Sequence, residues 1–446
     1  MPSIKLPKII DLFSGCGGLA LGFQKAGFEI ATGIELMPEA CNTITSNLCW
    51  RYGRDETHIC GDITQMDGKL FKDKFGDEGC IVIGGPPCQA YSLAGRGKLK
   101  SLGEDRINTN DARGYLYQDF LRFVFDLNAK AVVMENVPES TNYGDKNIPE
   151  IVCTTLEKRG YNAYWTILNA ANYGVPQKRE RVFIIAIKKD ENRNIELPIP
   201  TNKPTTKKYA LYPKKFTDTD DGLHFKEPIR PDDNQPDWVS VKEALDDLPA
   251  LFPTPKSQYK LQPLNIDLPY KCPAQNNFQQ LMRNWYNQET EAVSANAFRK
   301  NTRDYEIFDK MEPGANYTKA SAIAEERFKK EAAMFGYEKN SASYEQLHNK
   351  MVPPYTTESF ENKWFRLDPN KPSPTLVAHL SKDSYSHIHP WEPRGISVRE
   401  AARLQSFPDD FYFNCAMSDA FKQIGNAVPP LLAYNIAKCI SNAFQR

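Results

Sequence analysis

Lys8-Ile-Ile-Asp-Leu-Phe-Ser-Gly-Cys-Gly-Gly18 opens the first regular segment of the chain. Its first half, Lys8 to Phe13, is an apolar run that reads as a buried strand. The glycines after it let the backbone pass close to a ligand at the carboxyl end of a sheet. A helical segment, Leu19 to Ala26, follows. The alternation then recurs. The run ending at Glu35 (ATGIE), Ile81 to Gly85, Ala131 to Met134 and Val182 to Ile187 are short β-branched stretches with helical patterns between them. Strands alternating with helices predict βαβ units, and so an α/β fold with a mainly parallel sheet covered on both faces.

The texture changes near Leu197. From there to about Pro273 prolines are dense and long regular periods vanish, which predicts a second, less regular domain with a Pro-rich boundary. Val239 to Leu245 reads as one short helix, Ser321 to Phe335 as a polar one, and Ser397 to Arg446 as helical and apolar again. The 446 residues suit two or three domains. With 41% hydrophobic and 25% charged residues, the composition excludes a wholly disordered or collagen-like chain. No apolar run approaches the roughly 20 residues that span a bilayer, and the first ten residues lack the pattern of a signal peptide. Ten cysteines without a C-x-x-C pair predict free thiols in a reducing cytoplasm. The formal net charge of +0 speaks against a diffuse polycation.

Four stretches carry chemistry. In the first, Asp11 to Gly18 forms the glycine turn, and Glu35, some 20 residues beyond Gly15, stands where an acid binds ribose hydroxyls. Asp62, in Gly61-Asp62-Ile63, can accept from an adenine amino group. The turn departs from the G-x-G-x-x-G fingerprint, which favours an adenosine cofactor other than NAD. In the second, Gly84-Gly85-Pro86-Pro87-Cys88-Gln89 follows a strand, and its prolines hold Cys88 on a rigid loop suited to a nucleophile. In the third, Glu135-Asn136-Val137-Pro138 puts a carboxyl at a strand end, where a partly apolar setting raises its pKa and lets it donate a proton. Asn136 is placed to hold the neighbouring loop. In the fourth, Gln177-Lys-Arg-Glu-Arg-Val182 leads into a strand, so Arg179 and Arg181 share a face. Two guanidiniums there suit phosphate or carbonyl oxygen.

In this order, these stretches resemble the DNA (cytosine-5)-methyltransferase family. Arg399 to Pro408 and Gly425-Asn-Ala-Val-Pro-Pro430 resemble its late blocks. The resemblance covers roughly residues 8 to 190 and 364 to 446. It implies a Rossmann-like catalytic domain that uses S-adenosyl-L-methionine, a smaller irregular target-recognition domain and a DNA cleft between them. The expected boundaries are 1–196 with 419–446 for the catalytic domain, 197–408 for target recognition and 409–418 for a hinge. Phe13, Ser14, Gly15, Gly17, Gly18, Glu35, Asp62, Ile63, Leu116 and Asn426 are the implied cofactor residues. Cys88 is the implied nucleophile, beside Pro87. Glu135 would engage cytosine ring nitrogen 3 and Arg181 the base oxygen, with Arg179 and Asn136 in support. Leu36 departs from the pattern, because the residue after the ribose-binding acid is often aromatic.

The target base is out of reach in a stacked duplex, so it must be flipped out. The segment from Gln89 to Arg113 has the glycines and basic residues of a loop that closes on DNA. Gln89, Ser92, Arg96, Gln177, Arg299 and Arg303 are the expected DNA contacts; the last two lie in the compact cluster from Phe298 to Arg303. His387 and His389 have a metal-like spacing with no third ligand nearby, so no metal is expected. The partner is duplex DNA with a short specific site, probed by a cytoplasmic monomer of the restriction–modification type. A tRNA cytosine methyltransferase and a silent DNA-binding homologue are the alternatives. The neutral charge then implies a basic cleft offset by acidic outer faces.

Overall fold

The computed structural model describes residues 5–55, 57–87, 112–143, 146–205, 223–252, 263–300, 303–357 and 363–445. Its centre is a sheet of β1 (Lys8–Leu12), β2 (Ile30–Glu35), β3 (Ile59–Cys60), β4 (Cys80–Gly84), β5 (Ala131–Asn136), β6 (Tyr161–Asn169) and β7 (Glu180–Lys188). The strand order is β3-β2-β1-β4-β5-β7-β6. The pairs from β3 to β5 are parallel, and β7 runs antiparallel between β5 and β6. The sheet is thus mainly parallel. The order turns outward on both sides of β1, which opens a crevice at the carboxyl ends of β1 and β4, the place where such sheets bind ligands.

Alternation along each strand explains the layers. Ile9, Ile81, Val133 and Ile185 feed one apolar core, whereas Ile10, Leu12, Val82 and Val132 feed the other. Both faces are covered, so the strands read as continuous apolar runs rather than alternating ones. Helices α1 (Gly18–Lys25) and α2 (Pro38–Leu48) follow β1 and β2, and α3 (Leu116–Asp126) and α4 (Ile148–Lys158) flank β5. Full burial of each Ile, Leu or Phe in these layers contributes about 1.5–3 kcal/mol.

The remainder is more irregular, as its prolines predict. Helix α5 (Val241–Leu245) starts two residues after the expected point because Ser240 caps it, with Glu243 completing a capping box. Then come α6 (Asn277–Arg283), α7 (Tyr305–Lys310), α8 (Tyr317–Met334) and α9 (Ala342–Met351). Helices α7 to α9 build their own small core around Phe308, Tyr317, Phe328 and Trp364. The chain ends in α10 (Val398–Leu404), α11 (Met417–Asn426) and α12 (Pro430–Gln445), and α12 lies so close to α1 that a side chain on Gly22 would overlap Ala433 and Tyr434.

Buried charge holds the irregular layer to α10. Arg403 pairs with Asp409 and, at 3.0 Å, with Asp247, which Arg283 also meets at 2.6 Å. Arg394 binds Glu400 through both terminal nitrogens at 2.7 and 2.8 Å. His387 and His389 serve packing here. Burial lowers their pKa values to about 4 and about 3, and the His389 Nδ1 accepts the backbone N–H of Glu392 at 2.9 Å. No described helix is long and apolar enough to cross a membrane.

Candidate active site

A cavity of about 500 Å³ opens at the carboxyl ends of β1, β2, β4 and β5 and is closed from above by α11. One wall is the turn after β1. Phe13 and Gly15 both have positive φ, 57° and 55°. For a non-glycine residue this conformation costs on the order of 1–3 kcal/mol, and such strain gathers at ligand clamps. Gly15 spends its backbone N–H on the Glu35 carboxylate at 2.8 Å, and the other Glu35 oxygen accepts the N–H of Met37 at 2.8 Å. Glu35 is thereby fixed at the end of β2 with lone pairs left over on both oxygens. Asp62 accepts the backbone N–H and the hydroxyl of Thr64 at 2.9 and 2.8 Å through one oxygen, leaving the other to face the rim. Ile63, Leu116 and the exposed Leu36 (62%) and Met37 (41%) supply apolar surface beside these acids.

The floor holds Asp11, which is 1% exposed. Neither of its oxygens makes a well-formed hydrogen bond among the described residues; the nearest donor acting on it is the Ala20 N–H in the first turn of α1. Burial, and then the charge of Glu35, hold its carboxyl well above the usual carboxylate range. Sequence reading did not single out this residue as part of the cavity lining. The available signal was a lone acid inside an apolar strand buried on both faces.

The opposite wall carries Glu135, Arg179, Arg181 and the Pro86–Pro87 corner. Glu135 ends β5, buried, and its carboxylate meets the Arg181 Nε at 3.0 Å. Burial raises its pKa above the ordinary glutamate value, while Arg181 and then Arg179 oppose the rise. A side chain on Gly85 would stand 3.0 Å from Glu135, so the loop after β4 needs glycine to pass. Asn136 reaches the Pro86 carbonyl at 3.5 Å and caps its own loop through the Val137 N–H at 2.9 Å. Arg179 is buried and donates to the Leu376 carbonyl at 2.7 Å and the Gly425 carbonyl at 3.2 Å, tying β7 to α11.

Phe13, Ser14, Gly15, Gly18, Glu35, Asp62, Ile63, Leu116 and Asn426 all line the cavity, as do Pro87, Glu135, Arg179 and Arg181. Gly17 does not. It begins α1 in a left-handed conformation, and a side chain there would strike Ile44 and Leu48 in the core. Cys88, Gln89, Ser92 and Arg96 lie outside the described residues. One expected DNA contact, Gln177, needs correction. Gln177 is fully buried, donates to Leu404 and Gln405, and accepts the Leu376 N–H at 2.9 Å. Its amide is consumed by the fold because the strand start it occupies is covered by the 373–376 segment. Arg299 is half-buried and donates to the Ser381 carbonyl, so it supports another segment from behind. Arg303 pairs with the buried Asp304 at 2.6 Å. Lys422 and Gln423 of α11, absent from the sequence reading, also reach the cavity.

Comparison with known proteins agrees with this geometry. The family model of C-5 cytosine-specific DNA methylases matches residues 7–442. A protein of Oceanobacillus iheyensis whose name places it among the type II methyltransferases is 52% identical, over 99% of this chain and 96% of its own. The type II methyltransferase M.AgeI of Thalassovita gelatinovora is 30% identical over 98% and 99% of the two chains. Among solved structures, one described as a DNA modification methyltransferase encoded within an E. coli prophage superposes with a TM-score of 0.63, at 25% identity, covering 98% of this chain and 99% of that one.

Proposed function

Since the chain belongs to the family of C-5 cytosine-specific DNA methylases, and is a DNA cytosine-5 methyltransferase akin to the type II modification enzymes, we propose that its cavity takes S-adenosylmethionine on one wall and a flipped-out cytosine on the other. The observation that carries this reading is the pairing, in one cavity, of a buried Glu135 held by Arg181 with a second set of carboxylates that has no ion-pair partner among the described residues. The acids fit an adenosine-bearing cation. Glu35 has lone pairs for ribose hydroxyls, Asp62 an oxygen for the adenine amino group, and Asp11 a buried carboxyl with both oxygens open to the ammonium of the methionine part. Bound there, S-adenosylmethionine supplies an electrophilic methyl group.

The residues of the chain do the rest. The Cys88 thiolate adds to cytosine carbon 6, forming an S–C6 bond and moving the ring's π electrons toward carbon 5. Glu135, whose pKa burial raises, donates a proton to ring nitrogen 3 as that charge develops, and Arg181 holds both Glu135 and the base oxygen. General acid help of this kind contributes typically 10²–10⁴-fold. Carbon 5, so activated, would take the methyl group, with S-adenosylhomocysteine as the leaving group; loss of the carbon-5 proton to a base, with the nitrogen-3 proton returned to Glu135, then expels the Cys88 thiolate and restores the ring. Residues 1–196 with 419–446 form the catalytic part, 197–408 the recognition part and 409–418 the joint. The enzyme works as a cytoplasmic monomer that modifies a short site in duplex DNA.

The test is methyl transfer from radiolabelled S-adenosylmethionine to unmethylated duplex DNA and, separately, to tRNA, with nucleosides resolved after digestion. Label in 5-methyldeoxycytidine is expected. Label confined to tRNA sinks the reading. Cys88→Ala should abolish transfer and leave S-adenosylhomocysteine binding intact.

A further inference from the structure

Residues 373–382 pack against Arg179 and Gly425, two residues that line the cavity. The Ser373 carbonyl accepts the Lys178 N–H at 2.9 Å, and the Ser373 N–H donates to the Pro176 carbonyl at 2.9 Å. The Thr375 hydroxyl donates to the Lys178 carbonyl at 2.6 Å. Leu376 is gripped at both ends, its N–H by Gln177 at 2.9 Å and its carbonyl by Arg179 at 2.7 Å. Gly425 of α11 packs so closely that a side chain there would come within 2.3 Å of Val377 and 2.4 Å of Ala378. Residues Ala378–Ser381 then make a single tight turn, with Leu380 buried as its anchor and Arg299 donating to Ser381 from the protein side.

The backbone is therefore rigidly held, yet three side chains face outward. Val377 is 37% exposed, and His379 and Lys382 are exposed with no hydrogen bond or ion pair assigned to them among the described residues. Arg179 both lines the cavity and grips this segment, so the turn begins at the edge of the base pocket. A strongly fixed backbone presenting one apolar, one imidazole and one ammonium group beside a base-binding cavity is suited to duplex DNA next to an extruded nucleotide. The anchoring removes the ordering cost that a mobile loop would pay on binding.

We propose that residues 377–382 form the DNA-facing lip of the cavity, with Lys382 on a backbone phosphate and His379 on a base edge in the groove beside the target cytosine. This rests on the DNA methyltransferase reading above. It also assigns the cluster around Arg299 the role of buttress, with the reading side chains on the segment it supports. A phosphate contact contributes to counterion release and a base contact to discrimination, so the two residues are separable.

The experiment uses the full chain and a duplex carrying the methylated site, found beforehand by bisulfite sequencing. Affinity is read by fluorescence anisotropy across a salt series. Lys382→Ala should weaken binding and lower the slope of log K against log salt by about one, whereas Lys339→Ala, an exposed lysine between α8 and α9, should leave the slope unchanged. His379→Ala should keep the slope and lose about fivefold or more of discrimination at one base pair of the site, read by bisulfite sequencing of a methylated plasmid. Both variants should bind S-adenosylhomocysteine like the wild type in calorimetry, which separates a DNA contact from a collapsed cavity. A wild-type slope in Lys382→Ala, or an equal loss of S-adenosylhomocysteine affinity, overturns the phosphate assignment. Unchanged discrimination in His379→Ala overturns the base contact. Absence of DNA binding by the wild type, with S-adenosylhomocysteine still bound, overturns the methyltransferase reading and the lip with it.

Discussion

Asp11, on the central strand, and Asp247, just beyond α5, are both fully buried carboxylates, and the fold treats them in opposite ways. Asp247 sits between Arg283 and Arg403 at 2.6–3.2 Å, and Arg403 goes on to Asp409. Asp11 has no cationic partner among the described residues, and the charge that acts on it is that of another acid, Glu35. The same contrast extends outward. Around α10 buried charges are paired or fully hydrogen-bonded, as in Arg394 with Glu400 and in Arg399, which donates to three backbone carbonyls, whereas of the cavity acids Glu135 has a guanidinium partner among the described residues. A matched buried pair belongs to the scaffold. An unmatched buried acid in a cavity is waiting for something positive, because desolvation without compensation is costly.

The largest effect expected from this contrast is at Glu135, the one cavity acid that is both paired and placed for chemistry. Glu135→Gln should lower the single-turnover methylation rate by about 10²–10⁴-fold. The pH profile adds a sign. Burial raises the pKa, so the protonated donor persists to higher pH than in an ordinary glutamate, and the wild-type rate should fall as pH rises through that raised value. The Gln variant should lack this alkaline limb. A variant that keeps the limb shows that another group sets it.

On the scaffold side, Arg403→Leu strands Asp409 and part of Asp247 without a partner. Removing one member of a buried pair costs roughly 3–5 kcal/mol, read as a lower denaturation midpoint. The acid limb of stability sharpens the point. Arg394 and His389 hold Glu400 at about 2, below its ordinary 4.5. A depressed carboxyl contributes stability above its unfolded pKa and loses it as pH falls toward the folded one. The wild type should therefore lose stability between about pH 4.5 and 2, and Glu400→Gln should start less stable and change less over that window.

Asp11 should behave in the reverse manner. Asp11→Asn replaces a buried carboxyl that has no cationic partner among the described residues, so its melting temperature should equal or exceed the wild type's. Affinity for S-adenosylhomocysteine should fall roughly tenfold or more, the worth of a hydrogen bond to a charged group. Methylthioadenosine, which lacks the ammonium, should bind both proteins alike. Equal losses for both ligands would mean that Asp11 shapes the turn and binds nothing.

These two kinds of charge also divide what the sequence makes legible. The cavity is built from short stretches next to strand ends. Glu35, Glu135 and the Arg179–Arg181 pair are therefore readable from local pattern, and each reaches the cavity. The scaffold also needs partners far apart in sequence, 36 residues for Arg283 with Asp247 and 159 for Arg403 with Ala244, and no local period marks these. Gln177 fails for the same reason. Its neighbours in sequence look like a charged strand edge, but residues from 373 to 376 and 404 to 405 cover it. The cluster at Arg299 reads as a reaching basic patch, while its guanidinium is turned inward to a carbonyl 82 residues away.

The smallest effect expected lies at the rim, where Leu36 stands in place of the aromatic residue common in the family. Leu36 is 62% exposed and shares the cavity edge with Met37 and Ile63. An aliphatic side chain offers adenine apolar area but no π-face. Base stacking on an aromatic ring is worth about 1–3 kcal/mol per base where the ring is well held. At so exposed a position the ring would keep rotameric freedom, and most of that gain would go to ordering it. Leu36→Trp should thus tighten S-adenosylhomocysteine by only a few fold in calorimetry and leave the methylation rate at saturating cofactor unchanged. A tenfold gain would show that the rim is already ordered and that Leu36 limits affinity. A loss would show that Leu36 packs against the ligand in a space too narrow for a ring, making the rim part of the fitted wall rather than its loose edge.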